Sequence, residues 1–293
     1  MILVAGGTGR LGTLVVAQLA QRGARVRVLT RDPARAEHLR SAGAQVARGD
    51  VRDPSSIGRA MGGVTTVVSA VHGFAGPGRV TPDSVDRDGN AHLVAAAAAA
   101  RADVVLVSIL GAAADSPMEL FRAKYAAEQN LRASGAPWTI VRASAFAELW
   151  AEIMTKPIVF GRGNNPVNFV SVNDVAAAVV RAAAGTELRG QIIEVAGPDN
   201  LTFNQLAALL QELRGTHGPI RHVPRWLLRV MTPASRQARA AIAMDTTDMT
   251  SDFSATPRQD DLPVTDIRTA LTRTVTAPVA GHRWPAVATE RDP

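Results

Sequence analysis

The sequence predicts an α/β fold, a doubly wound parallel sheet with a smaller C-terminal lobe, and two observations carry that prediction. From the first residue onward, short β-branched or apolar runs alternate with longer stretches of helical period, the pattern of repeated βαβ units. A glycine-rich loop also joins the first apolar run directly to the first helical stretch. At 293 residues, 46% hydrophobic and 20% charged, the chain can bury one large core or a core with a smaller lobe.

In order, strands are expected at residues 2–5, 25–30, 45–48, 65–70, 104–108 and 138–142, and they are nearly continuous in apolar character because helices cover both faces of a parallel sheet. Helices are expected at 11–21, 33–41, 54–61, 87–101 and 118–133. The alanine run 95–100 reads as a face for close packing on the sheet, since alanine has the highest helix propensity and no bulk. After Arg142 the chain turns rich in Ala, Phe and Trp, passes through glycine and asparagine turns at 157–166, and resumes with a helix at 174–184. A strand at 191–195, a helix at 203–214 and a basic amphipathic stretch at 224–243 follow. The expected division is a sheet domain over 1–150 and a smaller substrate-covering lobe over 151–293, interleaved with the main sheet, with the last ten or so residues frayed.

Composition narrows the function. The net charge is +6, but the arginines are scattered and aromatics make up only 4% of residues, which speaks against a nucleic-acid surface. There are no cysteines, which excludes disulfides, thiolate catalysis and cysteine-ligated metals. The first residues lack the basic and apolar regions of a signal peptide, and no run approaches the roughly 18 apolar residues of a membrane span. A cytoplasmic protein without membrane or nucleic-acid partners is expected. The stretch holding Arg225, Trp226, Leu227, Leu228, Arg229 and Met231 reads either as a core-packed helix with a solvated basic face or as a membrane-surface helix; the first is the commoner meaning.

The run Gly6-Gly7-Thr8-Gly9-Arg10-Leu11-Gly12 stands where a dinucleotide fingerprint must stand, after a strand and opening a helix. Gly6 allows the tight turn, Gly9 lets a pyrophosphate approach the backbone, and Gly12 lets helix and strand pack closely, while the helix N-terminus offers N–H groups to phosphate. The expected fold is therefore of Rossmann type. At the end of the second strand, where an acidic residue would select NAD, the chain reads Thr30-Arg31-Asp32. Arg31 can pair a 2′-phosphate, with Arg10 as a second cation, so NADP(H) is favoured over NAD(H); alternatively Asp32 faces the ribose. Asp50 and Val51 lie where an adenine would sit, and Asp50 either bonds the adenine amine or caps the next helix.

Ligands in such sheets lie beyond the carboxyl ends of the strands. Those ends read Ser69-Ala70-Val71-His72, Ser108-Ile109-Leu110 and Arg142-Ala143-Ser144, without a hydrolase triad or a metal-binding spacing. Ala70 and Val71 are expected along the cofactor, and His72 with Phe74 either in the substrate pocket or in a solvated loop. Ser108 either donates to a substrate oxygen or caps the following turn. Phe146, Leu149, Trp150 and Met154 recur at helical spacing, as either a core stripe or the apolar wall of a substrate pocket, for which Phe146 and Trp150 are the candidates.

These features, with Phe121-Arg122-Ala123-Lys124-Tyr125-Ala126-Ala127-Glu128 and Trp138-Thr139-Ile140-Val141-Arg142, make the chain resemble the atypical short-chain dehydrogenases of the NmrA-like or isoflavone-reductase-like kind, over roughly residues 1–197. The resemblance implies NAD(P)H binding and reduction of small carbonyl, quinone, enone or dye-like substrates, although some such proteins sense the cofactor without turnover. It also implies a Tyr-x-x-x-Lys pair; Lys124 is in place, but the tyrosine position is Leu120, and Tyr125, the sole tyrosine, points about 100° away on a helix. Lys124 is then expected to orient the ribose and carboxamide, or else to be an exposed charge paired with Glu128. The expectation is an NADPH-dependent reductase of a small, apolar or aromatic substrate, with a homodimer as family habit; the alternatives are a non-catalytic redox sensor and an NAD-using epimerase or dehydratase.

Overall fold

The computed structural model describes residues 1–74, 80–252 and 262–276. Along the chain come β1 (Ile2–Ala5), α1 (Arg10–Gln21), β2 (Val26–Thr30), α2 (Glu37–Ser41), β3 (Gln45–Arg48), α3 (Pro54–Ala60), β4 (Thr66–Ser69), α4 (Asp88–Ala99), β5 (Asp103–Ile109), α5 (Glu119–Ala133) and β6 (Trp138–Ala143). Next come β7 (Ala145–Phe146), α6 (Ala147–Ile153), β8 (Ile158–Phe160), β9 (Pro166–Val170), α7 (Val172–Ala184) and β10 (Gln191–Val195). The remainder is β11 (Asp199–Thr202), α8 (Phe203–Leu213), β12 (Arg221–Val223), α9 (Arg225–Met231), α10 (Arg236–Met244) and α11 (Ile267–Thr276).

Seven strands form one sheet in the order β10-β6-β5-β4-β1-β2-β3, with every neighbouring pair parallel. Alternate residues of β1 point to opposite faces, as the period of a strand requires. Ile2 and Val4 pack with Val15, Val16 and Leu19 of α1 and Val175 and Val179 of α7, whereas Leu3 and Ala5 pack with Ile57 of α3, Leu93 of α4 and Leu131 of α5. The strand order reverses between β1 and β4, which opens a crevice beyond their carboxyl ends. This is the Rossmann-type α/β sheet that the alternation of elements predicts.

Several boundaries move for local reasons. The expected helix at 33–41 begins as a tighter turn, Pro33–Ala36, capped by the Asp32 carboxylate, which accepts from Ala34 N. The helix before β5 is preceded by a wider π-type turn, Pro82–Arg87, capped by Thr81, and stops short of Arg101, whose φ is 54°. The stretch 224–243 divides into α9 and α10, because Pro233 lacks the N–H that a continuous helix needs. β10 joins the main sheet beside β6, and α7 packs on α1. The chain beyond residue 150 therefore builds part of the main sheet as well as a second layer.

That second layer holds the three-stranded sheet β11-β9-β7 and the two-stranded ribbon β12-β8. Its core joins Ala151 and Met154 to Phe169, Leu206, Leu210 and Leu271. Among the described residues, no helix is long and apolar enough to cross a membrane. The expected fraying of the last ten residues lies outside the described residues.

Candidate functional site

The loop at residues 6–12 leaves β1 at the crevice. Gly6 has φ +82° and presses against the carbonyl of Ala70, so a side chain there would meet both a strained backbone and the end of β4. At Gly12 a Cβ would strike the Gly6 carbonyl, so α1 can start this close to the loop only with glycine. Gly9 closes the turn by donating to Gly6 O at 2.9 Å, and is the extended N-cap of α1. The first turn of α1 carries no acidic residue, leaving the partial positive charge of its N-terminus uncountered. Thr8 is half-buried in the loop, and Leu11 is buried against the sheet. This cradle fits a pyrophosphate.

Arg10 does not lie with Arg31. It forms an ion pair with Glu152 of α6, and burial lowers its pKa while the charge of Glu148 opposes that shift. Arg31 instead shares a pocket of about 530 Å³ with Arg48 and Arg59, lined also by Gly49, Asp50, Asp53 and Ser56. The pocket lies beyond the ends of β2 and β3, and three arginines and two aspartates are among the residues that line it. Asp32 Oδ1 caps the turn that follows β2 by accepting from Ala34 N at 3.1 Å, and its side chain is exposed. Asp50 does not cap α3: Asp53 does, accepting from Ser55 N at 3.0 Å. Asp50 instead binds the Arg52 guanidinium, the nearest contact being 2.6 Å, and this pairing holds its carboxyl below the usual range. Val51 is half-buried, and its carbonyl lies 2.9 Å from His92 Nδ1.

Beyond β4 and β5 lies a buried polar network. Lys124 is 5% exposed; its ammonium pairs with Asp86 Oδ1 at 2.9 Å and donates to the carbonyls of Val71 and Val107, each at 3.0 Å. The three N–H donors are thus all directed at protein, and the exposed pairing with Glu128 does not form. Asp86 also accepts from Gly73 N at 2.8 Å, and Asn90 links Ser69 to the Asp86 carbonyl. His72 lies above this network with its ring stacked on Phe74. His72 is exposed to solvent on one side and crowded by protein on the other; desolvation lowers its pKa, Asp86 raises it and Lys124 lowers it. Ala70 and Val71 carry the backbone from the end of β4 to His72.

Ser108 neither caps a turn nor stands free. Its hydroxyl donates to Glu128 Oε1, and the fully buried Glu128 also binds the Arg142 guanidinium, at 2.6 Å to Nη2 and 3.0 Å to Nε. Phe146 is half-buried, packed against the core that joins α1 and α7. Trp150 meets Phe203 edge-on with ring centroids 4.7 Å apart, a contact inside the second layer. The structure therefore gathers Ala70, Val71, His72, Phe74 and Lys124 at one mouth and Arg31 with Asp50 at another, while Arg10 and Trp150 belong to contacts of α6.

Arg48, Arg59, Asp86, Asn90 and Glu148 are not named from the sequence, and Glu128 is named there only as a surface partner of Lys124. A signal for some of them was present: Glu128 follows Lys124 by one helical turn among Phe121, Ala127 and Leu131, and a charge amid apolar positions has to be paired when buried. Among the described residues, no group of three His, Cys, Asp or Glu side chains could hold a metal ion.

Residues 6–185 match the family described as NAD(P)H-binding. The NAD(P)H azoreductase of Xenophilus azovorans is 32% identical over 228 residues, covering 76% of each chain. The photosystem II assembly factor Ycf39 of Trieres chinensis is 27% identical over 239 residues, covering 79% of this chain and 74% of its own. An NADPH-dependent quinone oxidoreductase of Escherichia coli, solved with NADPH, superposes with a TM-score of 0.75 at 21% identity, over 93% of this chain and 99% of that one, and so shares the fold. Glycine cradle, strand order and family match agree: the chain belongs to the NAD(P)H-binding family, among its NmrA-like members.

Proposed function

We propose that the protein is an NADPH-dependent reductase that delivers hydride to a small apolar or aromatic carbonyl, quinone, enone or dye-like acceptor. The observation that carries this reading is the placement of the arginine pocket beside the glycine cradle, which gives a pyrophosphate and a 2′-phosphate separate cationic seats. The likeness to the azoreductase supports the reductase class. When bound, the cofactor supplies the hydride. Gly6, Gly9 and Gly12 would hold its pyrophosphate, Arg31, Arg48 and Arg59 its 2′-phosphate, and the backbone of Ala70 and Val71 its nicotinamide end. In this reading Lys124 is a positioning residue, since its ammonium ties the ends of β4 and β5 to Asp86. Ser108 acts through Glu128, and His72, Phe74 and Phe146 face the acceptor, whereas Trp150 packs on Phe203 within the second layer. The acceptor takes the hydride at one atom and a proton at the conjugate heteroatom, so positioning and water access matter more than a strong acid.

A second reading has a specific observation behind it. With Leu120 at the tyrosine position and all three Lys124 donors engaged, the same cofactor site suits a sensor that never turns over. Calorimetry with NADPH and NADH, followed by cofactor absorbance with a panel of quinones, azo dyes and enones, separates the two. Tighter NADPH binding with turnover is expected; tight binding with no acceptor reduced would favour the sensor, and no binding would end both.

A further inference from the structure

From Leu213 to Met244 the chain carries six arginines (Arg214, Arg221, Arg225, Arg229, Arg236 and Arg239) and not one acidic residue. This same stretch exposes a cluster of large apolar side chains. On α9, Trp226 is 66% exposed and Val230 68%, one helical turn apart, flanked by Leu227 and Met231, while Leu228 alone anchors the helix. The chain enters α9 directly from the β12-β8 ribbon. Strand alternation there buries Val159 and turns Ile158 and Phe160 outward, in register with Arg221 and Val223. Arg225 is tied to Asp245 and Arg236 to Glu119, but Arg221 and Arg229 are exposed and make no ion pair among the described residues.

We propose that α9 and the outward face of the adjoining ribbon are a docking surface for an anionic lipid bilayer. An exposed tryptophan with Leu, Val and Met beside it, bordered by uncompensated arginines, is the arrangement that seats a short helix at the level of the headgroups. Charge speaks against a second copy, and the scarcity of aromatic side chains against a nucleic acid. A second copy meeting this face about a two-fold axis would set arginine against arginine with no carboxylate between them. A nucleic acid would call for several aromatic platforms, and the face offers one tryptophan and one phenylalanine. The surface is separate from the arginine pocket and from the Lys124 network, and its assignment does not depend on the reductase reading. It takes up the membrane-surface alternative that the sequence leaves open for this stretch.

The test is flotation of the full chain with vesicles of equimolar phosphatidylcholine and phosphatidylglycerol against pure phosphatidylcholine, with light scattering of the free protein alongside. Binding is expected only to the anionic vesicles, weakened by added salt and accompanied by a blue shift of tryptophan emission that Trp226→Phe removes. Arg221→Gln with Arg229→Gln should weaken binding by about thirtyfold, at about 1 kcal/mol per charge. Trp226→Ser with Val230→Ser should weaken it by about tenfold or more, with unchanged circular dichroism and melting. Equal binding to both vesicle types, no binding to either, or a dimer that the Trp226→Ser and Val230→Ser pair dissociates would each overturn the proposal.

Discussion

Arg31 leaves the end of β2 at the position where the cofactor families separate, and the structure adds two partners that are far from it in sequence. Arg48 ends β3 and Arg59 belongs to α3, so the pocket exists only because β2 and β3 are neighbours. If these guanidinium groups grip a 2′-phosphate, each should contribute a charge-assisted bond. Arg31→Ala and Arg48→Ala should then each raise the Kd for NADPH by about tenfold or more, while leaving that for NADH nearly unchanged in calorimetric titration. Equal losses for the two cofactors would mean that the 2′-phosphate is held elsewhere. Arg31 could be found in the sequence because it has a fixed place after the second strand. Arg59 could not, because only the packing of α3 brings it to the pocket.

The junction of α6 with α7 depends on one buried carboxylate. Glu148, in the first turn of α6, accepts from Ser171 Oγ at 2.8 Å and from Val172 N at 2.9 Å, so it helps to start α7. Burial pushes the Glu148 pKa above its ordinary 4.5, against the smaller opposing effects of these hydrogen bonds and of Arg10. The folded state therefore favours the protonated acid. Its contribution to stability is fully present below pH 4.5 and is lost as pH rises through the raised folded pKa. Glutamine can accept from Val172 N and donate to Ser171 without titrating. The fall in urea midpoint between pH 4.5 and neutrality should accordingly be smaller for Glu148→Gln than for the native chain, followed by circular dichroism. Asp174 is also raised by burial, but it contributes equally to both proteins. Parallel pH profiles would rule out the role assigned to Glu148.

The molecule as a whole does not close where the family match ends, at residue 185. β10 covers the edge of β6 over Thr139 to Ala143, and α8 and α11 cover Phe169 and Ala151. A chain ending at residue 185 would expose that strand edge and half of the second core. Such a chain should show no cooperative melting by calorimetry and should aggregate; a sharp transition with native-like circular dichroism would contradict the integration described here.

Local pattern by itself determined the Rossmann-type sheet, because a strand, a glycine loop and an amphipathic helix are each written within a dozen residues, and the pyrophosphate cradle is one such segment. It also placed Arg31 directly after β2, the residue on which the expected preference for NADP(H) rests. Tertiary structure decided what long-range pairing controls. Lys124 lies on α5 and Asp86 on the turn before α4, so their ion pair follows from how the helices cross the sheet, as does the diversion of Glu128 to Arg142 and Ser108. Arg10 stands in the glycine loop proposed to hold the pyrophosphate, yet α6 offers it Glu152. A buried charge takes the partner that folding brings within reach, and sequence spacing names that partner only when both lie on the same turn of one helix.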